Sequence, residues 1–147
     1  MPMPTLTYHR PKTLPTALAL LQQPNSCLLA GGTNLTHQLK SGFFEHVIDL
    51  QAIGLDQISA QADTITLGAM VTLQAVADSP DLPNFLRQLA HDEAANTFRH
   101  IATLGGTIMA RDQASELLAG LLVCEAQLTL LMDSGEQQFS LAEFLRV

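Results

Sequence analysis

Cys27-Leu28-Leu29-Ala30-Gly31-Gly32-Thr33-Asn34-Leu35 passes from apolar residues into a glycine pair and then into polar residues able to start a helix. The run reads as a buried strand ending in an anion-binding turn. Glycines lack Cβ atoms, so the main chain can take positive φ, turn its N–H groups inward and let a ligand approach. Thr33 and Asn34 add side-chain donors. A helix opening near Leu35 would aim its first amides at the same turn, which suits phosphate. Ala102-Thr103-Leu104-Gly105-Gly106-Thr107 repeats the device. A single Gly-Gly-Thr marks only a tight turn in most chains. Two of them, each after apolar residues, can hold a diphosphate from both sides. Neither matches the G-x-G-x-x-G fingerprint or the Walker loop, so those nucleotide folds lose their main support.

Outward from this stretch, Thr13 and Pro15 open an amphipathic helix carrying Leu14, Ala17, Leu18 and Leu21. The strand is expected over Cys27–Ala30, a short helix through Leu35 and Leu39, and a second strand over Val47–Leu50. A helix between neighbouring strands predicts a small parallel β-α-β layer. A short strand is expected at Gln57–Ser59, and the alternation of Thr64–Leu67 predicts a half-buried one. Thr72 caps a helix ending at Ser79-Pro80, and another runs from beyond Pro83 through Leu86 and Ala90 to Ala95. After the second glycine pair, Ser115 or Ala114 opens a helix with Leu117, Leu118, Leu121 and Leu122 on one face. Leu128–Leu131 and Gln137–Phe139 form a hairpin about Asp133-Ser134-Gly135, and Ser140 to Glu143 is a capping box for a last helix.

The sequence has 147 residues, 47% hydrophobic and 14% charged, enough for one compact domain whose apolar surface is buried internally, against a partner or against a second copy. A net charge of −7 argues against nucleic acid, and an anionic ligand would have to be held by local donors. Cys27 and Cys124 form no C-x-x-C pair, so no four-thiolate cluster is expected, and both read as buried, reduced thiols of a cytoplasmic protein. Met1 to Pro4 lacks the pattern of a signal peptide. The longest apolar run, Leu117 to Cys124, is far below the roughly twenty residues that cross a bilayer, so no membrane role is expected. His9, His37, His46, His91 and His100 show no metal-ligand spacing, and no Ser-His-Asp or Cys-His set is present. No metal ligand and no catalytic residue is expected.

LLAGGTNLTHQLKSG (Leu28 to Gly42), VIDL (Val47 to Leu50), ITLGAMVTLQAVADS (Ile65 to Ser79) and FRHIATLGGTI (Phe98 to Ile108) occur in the order and spacing of the flavoprotein of molybdenum hydroxylases. The opening YHRPKTLPTALALL (Tyr8 to Leu21) also resembles that family. The group includes the FAD subunits of xanthine dehydrogenase and carbon monoxide dehydrogenase types. The resemblance implies an α+β, two-lobed PCMH-type FAD-binding fold over residues 1–147. A small parallel β-α-β lobe would cover about residues 1–54, and a largely antiparallel lobe with helices about 55–147. It implies an FAD diphosphate between Leu29, Ala30, Gly31, Gly32, Thr33, Asn34 and Leu35 on one side and Thr103, Leu104, Gly105, Gly106 and Thr107 on the other. The Thr103 hydroxyl and freed amides near Gly105 and Gly106 are the expected donors. Arg99, His100 and Arg111 flank the second pair and are not taken as ligands.

Four positions depart from the family pattern. Glu116 stands where the family has an aspartate that receives cofactor hydroxyls, and its longer arm changes the fit. Leu67 occupies a position that presents an aromatic or apolar side chain to the cofactor, and it keeps the bulk without the ring. Thr107 replaces an asparagine, and a proline usual near Gln113 is missing. The family continues past the segment ending at Leu145 into a C-terminal domain, which is expected to be absent from a chain stopping at Val147. The implied function is FAD-dependent electron transfer in an oxidoreductase with molybdenum-cofactor and iron–sulfur subunits. The alternatives are a shortened assembly module that kept the fold but binds FAD weakly or not at all, and a module for another nucleotide.

Overall fold

A computed structural model describes residues 6–146. Met1 to Pro4, read above as carrying no leader, lie outside the described residues, as does Val147. In chain order the elements are β1 (Thr7–His9), α1 (Leu14–Leu21), β2 (Ser26–Leu29), α2 (Leu35–Leu39), β3 (His46–Asp49), β4 (Ile58–Gln61) and β5 (Thr64–Leu67). They continue with α3 (Leu73–Asp78), α4 (Asn84–Asp92), α5 (Asn96–Arg99), α6 (Leu104–Ala110), α7 (Glu116–Val123), β6 (Gln127–Met132), β7 (Gly135–Ser140) and α8 (Leu141–Arg146).

The expected β-α-β layer is present as β2, α2 and β3, with both strands one residue earlier than the sequence suggested. The sheet also has a third strand that was not expected. β1 pairs in parallel with the other side of β3, giving the order β1-β3-β2. Tyr8 in the strand and Arg10 just beyond it help to hold it there. The Tyr8 hydroxyl donates to the buried Asp49 carboxylate, and Arg10 Nε stands 3.6 Å from the same group.

The remaining strands form two antiparallel hairpins, β4-β5 and β6-β7. Around them the helices bury one cluster that includes Val71, Leu73, Val76, Leu86, Leu104, Leu117, Leu118, Leu121, Leu141 and Phe144. Each large apolar side chain removed from water in this way contributes about 1.5–3 kcal/mol. Leu122 is outside it and exposed, so the apolar face of α7 is narrower than its sequence implied.

Hydroxyl caps start the helices where the sequence places them. The Oγ1 atoms of Thr13 and Thr72 accept from the amides of Thr16 at 3.4 Å and Ala75 at 3.1 Å, and Ser115 Oγ accepts from Leu118 at 3.1 Å. The capping box is complete: the Ser140 amide donates to Glu143 Oε2 at 3.0 Å, and the Glu143 amide to Ser140 Oγ at 3.2 Å. Two expectations are corrected. α4 ends at Asp92 rather than Ala95, because the Arg99 guanidinium draws the His91 and Ala94 carbonyls to itself at 3.0 Å each, and a separate α5 follows. Cys124 is exposed rather than buried, since it caps α7 just before Glu125 reverses the chain at a φ of 52°. Cys27 is buried, which pushes its thiol pKa up. Among the described residues no helix is long and apolar enough to cross a membrane.

Candidate cofactor site

β2 ends at Leu29, and the chain turns through Ala30 to Asn34 before α2. The turn therefore follows the carboxyl end of a parallel strand, where open α/β sheets receive ligands. Gly32 has a φ of 74°, a left-handed value that glycine reaches without steric cost. Gly31 is needed for a different reason. A Cβ there would stand 1.9 Å from the carbonyl oxygen of Ile101 and 3.1 Å from the Ala102 Cα, so the two glycine segments meet main chain to main chain.

Hydrogen bonding distinguishes the two segments. The amides of Gly31, Gly32, Thr33, Asn34 and Leu35 meet no acceptor among the described residues, and Asn34 at the N-cap of α2 does not use its side chain to cap. The first amide engaged is that of Thr36, which donates to the Gly32 carbonyl at 3.2 Å. A run of main-chain donors at a positive-φ glycine is the makings of an anion nest.

The second pair is not a loop but the first turn of α6. Leu104 and Gly105 donate to the carbonyls of Val71 and Ala69 at 2.8 Å each, Gly106 to Thr103 Oγ1 at 3.2 Å, and Thr107 to the Thr103 carbonyl at 2.9 Å. The expectation of freed amides near Gly105 and Gly106 is thus corrected: the segment leading into α3 takes two, and Thr103 takes the rest. Thr103 is buried, and its hydroxyl accepts the Gly106 amide, which leaves its own proton available to donate.

Between the segments lies a cleft of about 360 Å³. Ala30, Gly31, Gly32, Thr33, Asn34 and Leu35 line one side, and Ala102, Thr103, Gly106 and Thr107 the other. Leu28, Leu73, Ala94 and Phe98 supply apolar wall, and Glu93 and Asp112 supply carboxylates. The structure so brings together most of the predicted site residues. Leu29, Leu67, Leu104, Gly105 and Glu116 do not line the cleft. Leu29 lies under the turn, with its Cδ1 where a Cβ on Gly32 would meet it. Leu67 packs against the main core, Leu104 is part of it, and Gly105 is pressed against Ala69. Glu116 faces a smaller adjoining pocket of about 230 Å³ with Asp92, Glu93, Asp112 and Ser115.

Glu93 and Asp112, which the sequence did not single out, border both cavities. Each is fixed by one oxygen: Glu93 Oε2 accepts from the Leu117 amide at 3.1 Å, and Asp112 Oδ1 from Ala114 at 2.9 Å. No residue spacing announces Glu93, because its helix-capping partner is 24 positions away. The basic residues near the second segment do not line the cleft. Arg99 is buried, His100 Nδ1 lies 2.9 Å from the Asn96 carbonyl, and the Arg111 guanidinium lies 4.3 Å over the Phe144 ring.

The profile of the family described as the FAD binding domain in molybdopterin dehydrogenase matches residues 4–147. The chain belongs to this family. FAD is the family's cofactor, as the resemblance implied. The nicotinate dehydrogenase FAD-subunit of Eubacterium barkeri is 26% identical over 151 residues, covering 97% of this chain and 51% of that protein. The carbon monoxide dehydrogenase medium chain of Hydrogenophaga pseudoflava is 37% identical over 115 residues, covering 71% of this chain and 39% of that one. A solved structure of carbon monoxide dehydrogenase from the same organism superposes with a TM-score of 0.87 at 30% identity, over 97% of this chain and 52% of that chain. The chain spans about half the length of the curated relatives it matches. The mixed fold, with a small parallel sheet and antiparallel hairpins, is that of the PCMH-type FAD domains.

For an FAD-binding domain, the residues present fit the cofactor in a specific way. Successive main-chain donors at Gly31 to Leu35 suit a diphosphate, and the carboxylates of Glu93 and Asp112 suit the hydroxyls of a ribose or ribityl chain. No lysine or arginine lines the cleft among the described residues, so the phosphate charge would be met by oriented amides.

Proposed function

We propose that the chain is the FAD-binding, electron-transferring part of a molybdenum hydroxylase-type oxidoreductase. It works beside molybdenum-cofactor and iron–sulfur subunits in the cytoplasm, and delivers electrons from their clusters to an external acceptor. The observation that carries this reading is the run of amides from Gly31 to Leu35 that meet no acceptor among the described residues, in a turn that lines the cleft. FAD, when bound, supplies redox chemistry that no side chain offers. The chain's own part is to bind and orient. The first glycine segment grips the diphosphate, the Thr103 hydroxyl donates from the opposite wall, and Glu93 and Asp112 accept from sugar hydroxyls. The division into two lobes near Gly54, with the cleft between them, belongs to the same reading, as does Glu116 acting on the cofactor from the adjoining pocket. Free cysteines agree with a reducing compartment.

A second reading, an assembly module that holds FAD weakly, draws on the second segment. Its amides are engaged internally, and Leu67 packs against the core rather than lining the cleft. Visible absorbance of the purified chain, before and after adding FAD and gel filtration, separates the two. Near one equivalent of retained flavin is the expected result. A folded, colourless protein that retains none sinks the first reading and leaves the second.

A further inference from the structure

α5 inverts the usual division between inside and outside. Of its residues, Arg99 is 9% exposed and Phe98 is 53% exposed. Charged side chains are buried only when their donors are satisfied. All three guanidinium nitrogens of Arg99 are engaged as a fastener. Its Nε donates to Gln74 Oε1 at 3.0 Å, one terminal nitrogen to the His91 and Ala94 carbonyls at 3.0 Å each, and the other to Asn96 Oδ1 at 3.3 Å. A four-residue helix that buries no apolar side chain is thereby locked between α3 and α4 by its arginine. What this lock leaves exposed is a phenyl ring in the lining of the same cleft as the glycine turn. Among the described residues no other aromatic lines the cleft.

We infer that Phe98 is the stacking platform for an aromatic ring of the dinucleotide. The inference rests on the FAD reading and assigns to Phe98 the contact that Leu67, half-buried against the core, does not make in the cleft. Phosphates at Gly31 to Leu35 and a ring against Phe98 use the polar and the apolar walls of one cavity.

The test is an FAD titration of the full chain, followed by flavin absorbance and fluorescence, for the parent, Phe98→Leu and Phe98→Tyr, with thermal melting of each. Loss of one stacked base partner weakens binding by roughly five- to a hundred-fold. Phe98→Leu, which keeps the bulk but not the ring, is expected to fall in that range, and Phe98→Tyr to stay close to the parent. The melting temperatures should match, since the ring lies outside the core. Competition by ADP and FMN then assigns the ring: a loss shared with ADP marks the adenine, and one shared with FMN the isoalloxazine. Parent-like FAD binding by Phe98→Leu overturns the inference and leaves the FAD reading standing. A parent chain that retains no FAD overturns the FAD reading, and this inference with it.

Discussion

The two Gly-Gly-Thr segments carry the same tripeptide and differ in almost everything that determines what an amide can do. At Gly31-Gly32-Thr33 the main chain leaves a strand, passes through a left-handed glycine and keeps its N–H groups unengaged as far as Leu35. At Gly105-Gly106-Thr107 it is already helical, and each of the first four amides of α6 has an acceptor. The difference comes from neighbours. Thr103 offers both its hydroxyl and its carbonyl as a cap, and the Ala69 and Val71 carbonyls run alongside, tied through the Thr72–Thr103 bridge. Asn34, in the corresponding place before α2, makes no such cap. A motif supplies backbone freedom, and its surroundings decide whether the donors remain for a ligand.

Breaking the contact between the segments should give the largest effect. Gly31→Ala puts a Cβ into the Ile101 carbonyl, and main chain cannot swing aside as a flexible side chain can. About 3 kcal/mol of lost stability is expected, at the upper end of overpacking, together with loss of flavin retention. A urea midpoint equal to the parent's would show that the two walls are not in register as described.

Separating the roles of the segments needs a matched pair. Gly32→Ala strains a left-handed position by about 1–2 kcal/mol and disturbs the donor run. FAD affinity should fall more than stability alone explains. Thr103→Ala removes the α6 cap for about 1 kcal/mol, and stability should fall with a smaller change in affinity, restored by Thr103→Ser. If the two variants lose affinity equally, the contrast between a binding segment and a structural one is wrong.

These differences bear on what a reader of the sequence could have found. The helix starts at Thr13, Thr72, Ser115 and Ser140 were accessible because caps are local, as was the hairpin about Asp133-Ser134-Gly135 from its turn residues. β1 was missed because three residues with no periodicity become a strand only when β3 offers an edge. The end of α4 was missed because Arg99, seven positions beyond Asp92, selects it. The cleft itself could be anticipated from its glycines. Its acidic and aromatic wall could not, since Glu93 is held by an amide 24 positions on and the helix of Phe98 by the distant contacts of Arg99 to Gln74 and His91.

The smallest effect lies outside both segments and serves as a control. The Ser140 hydroxyl and amide hold the Glu143 carboxyl below its usual range. A depressed folded-state pKa adds stability above the ordinary glutamate value, about pH 4.3, and that addition is lost as pH falls through the folded value. Glu143→Gln should therefore be slightly less stable than the parent at neutral pH and converge with it in acid, with flavin retention unchanged. Urea midpoints measured from pH 7 to pH 3 check this, and a gap that widens in acid would contradict it.

The abutment of Gly31 on Ile101 also sets when the cleft can exist. Some seventy residues separate its walls along the chain, and closing a loop of that length must precede any contact across it. Neither wall alone, in a partly folded chain, offers the whole cavity. A ligand that needs both therefore recognises only the native state, and at a hundred times its dissociation constant it would deepen that state by about 2.7 kcal/mol. For a domain of this kind, cofactor supply and the lifetime of the folded chain become one quantity.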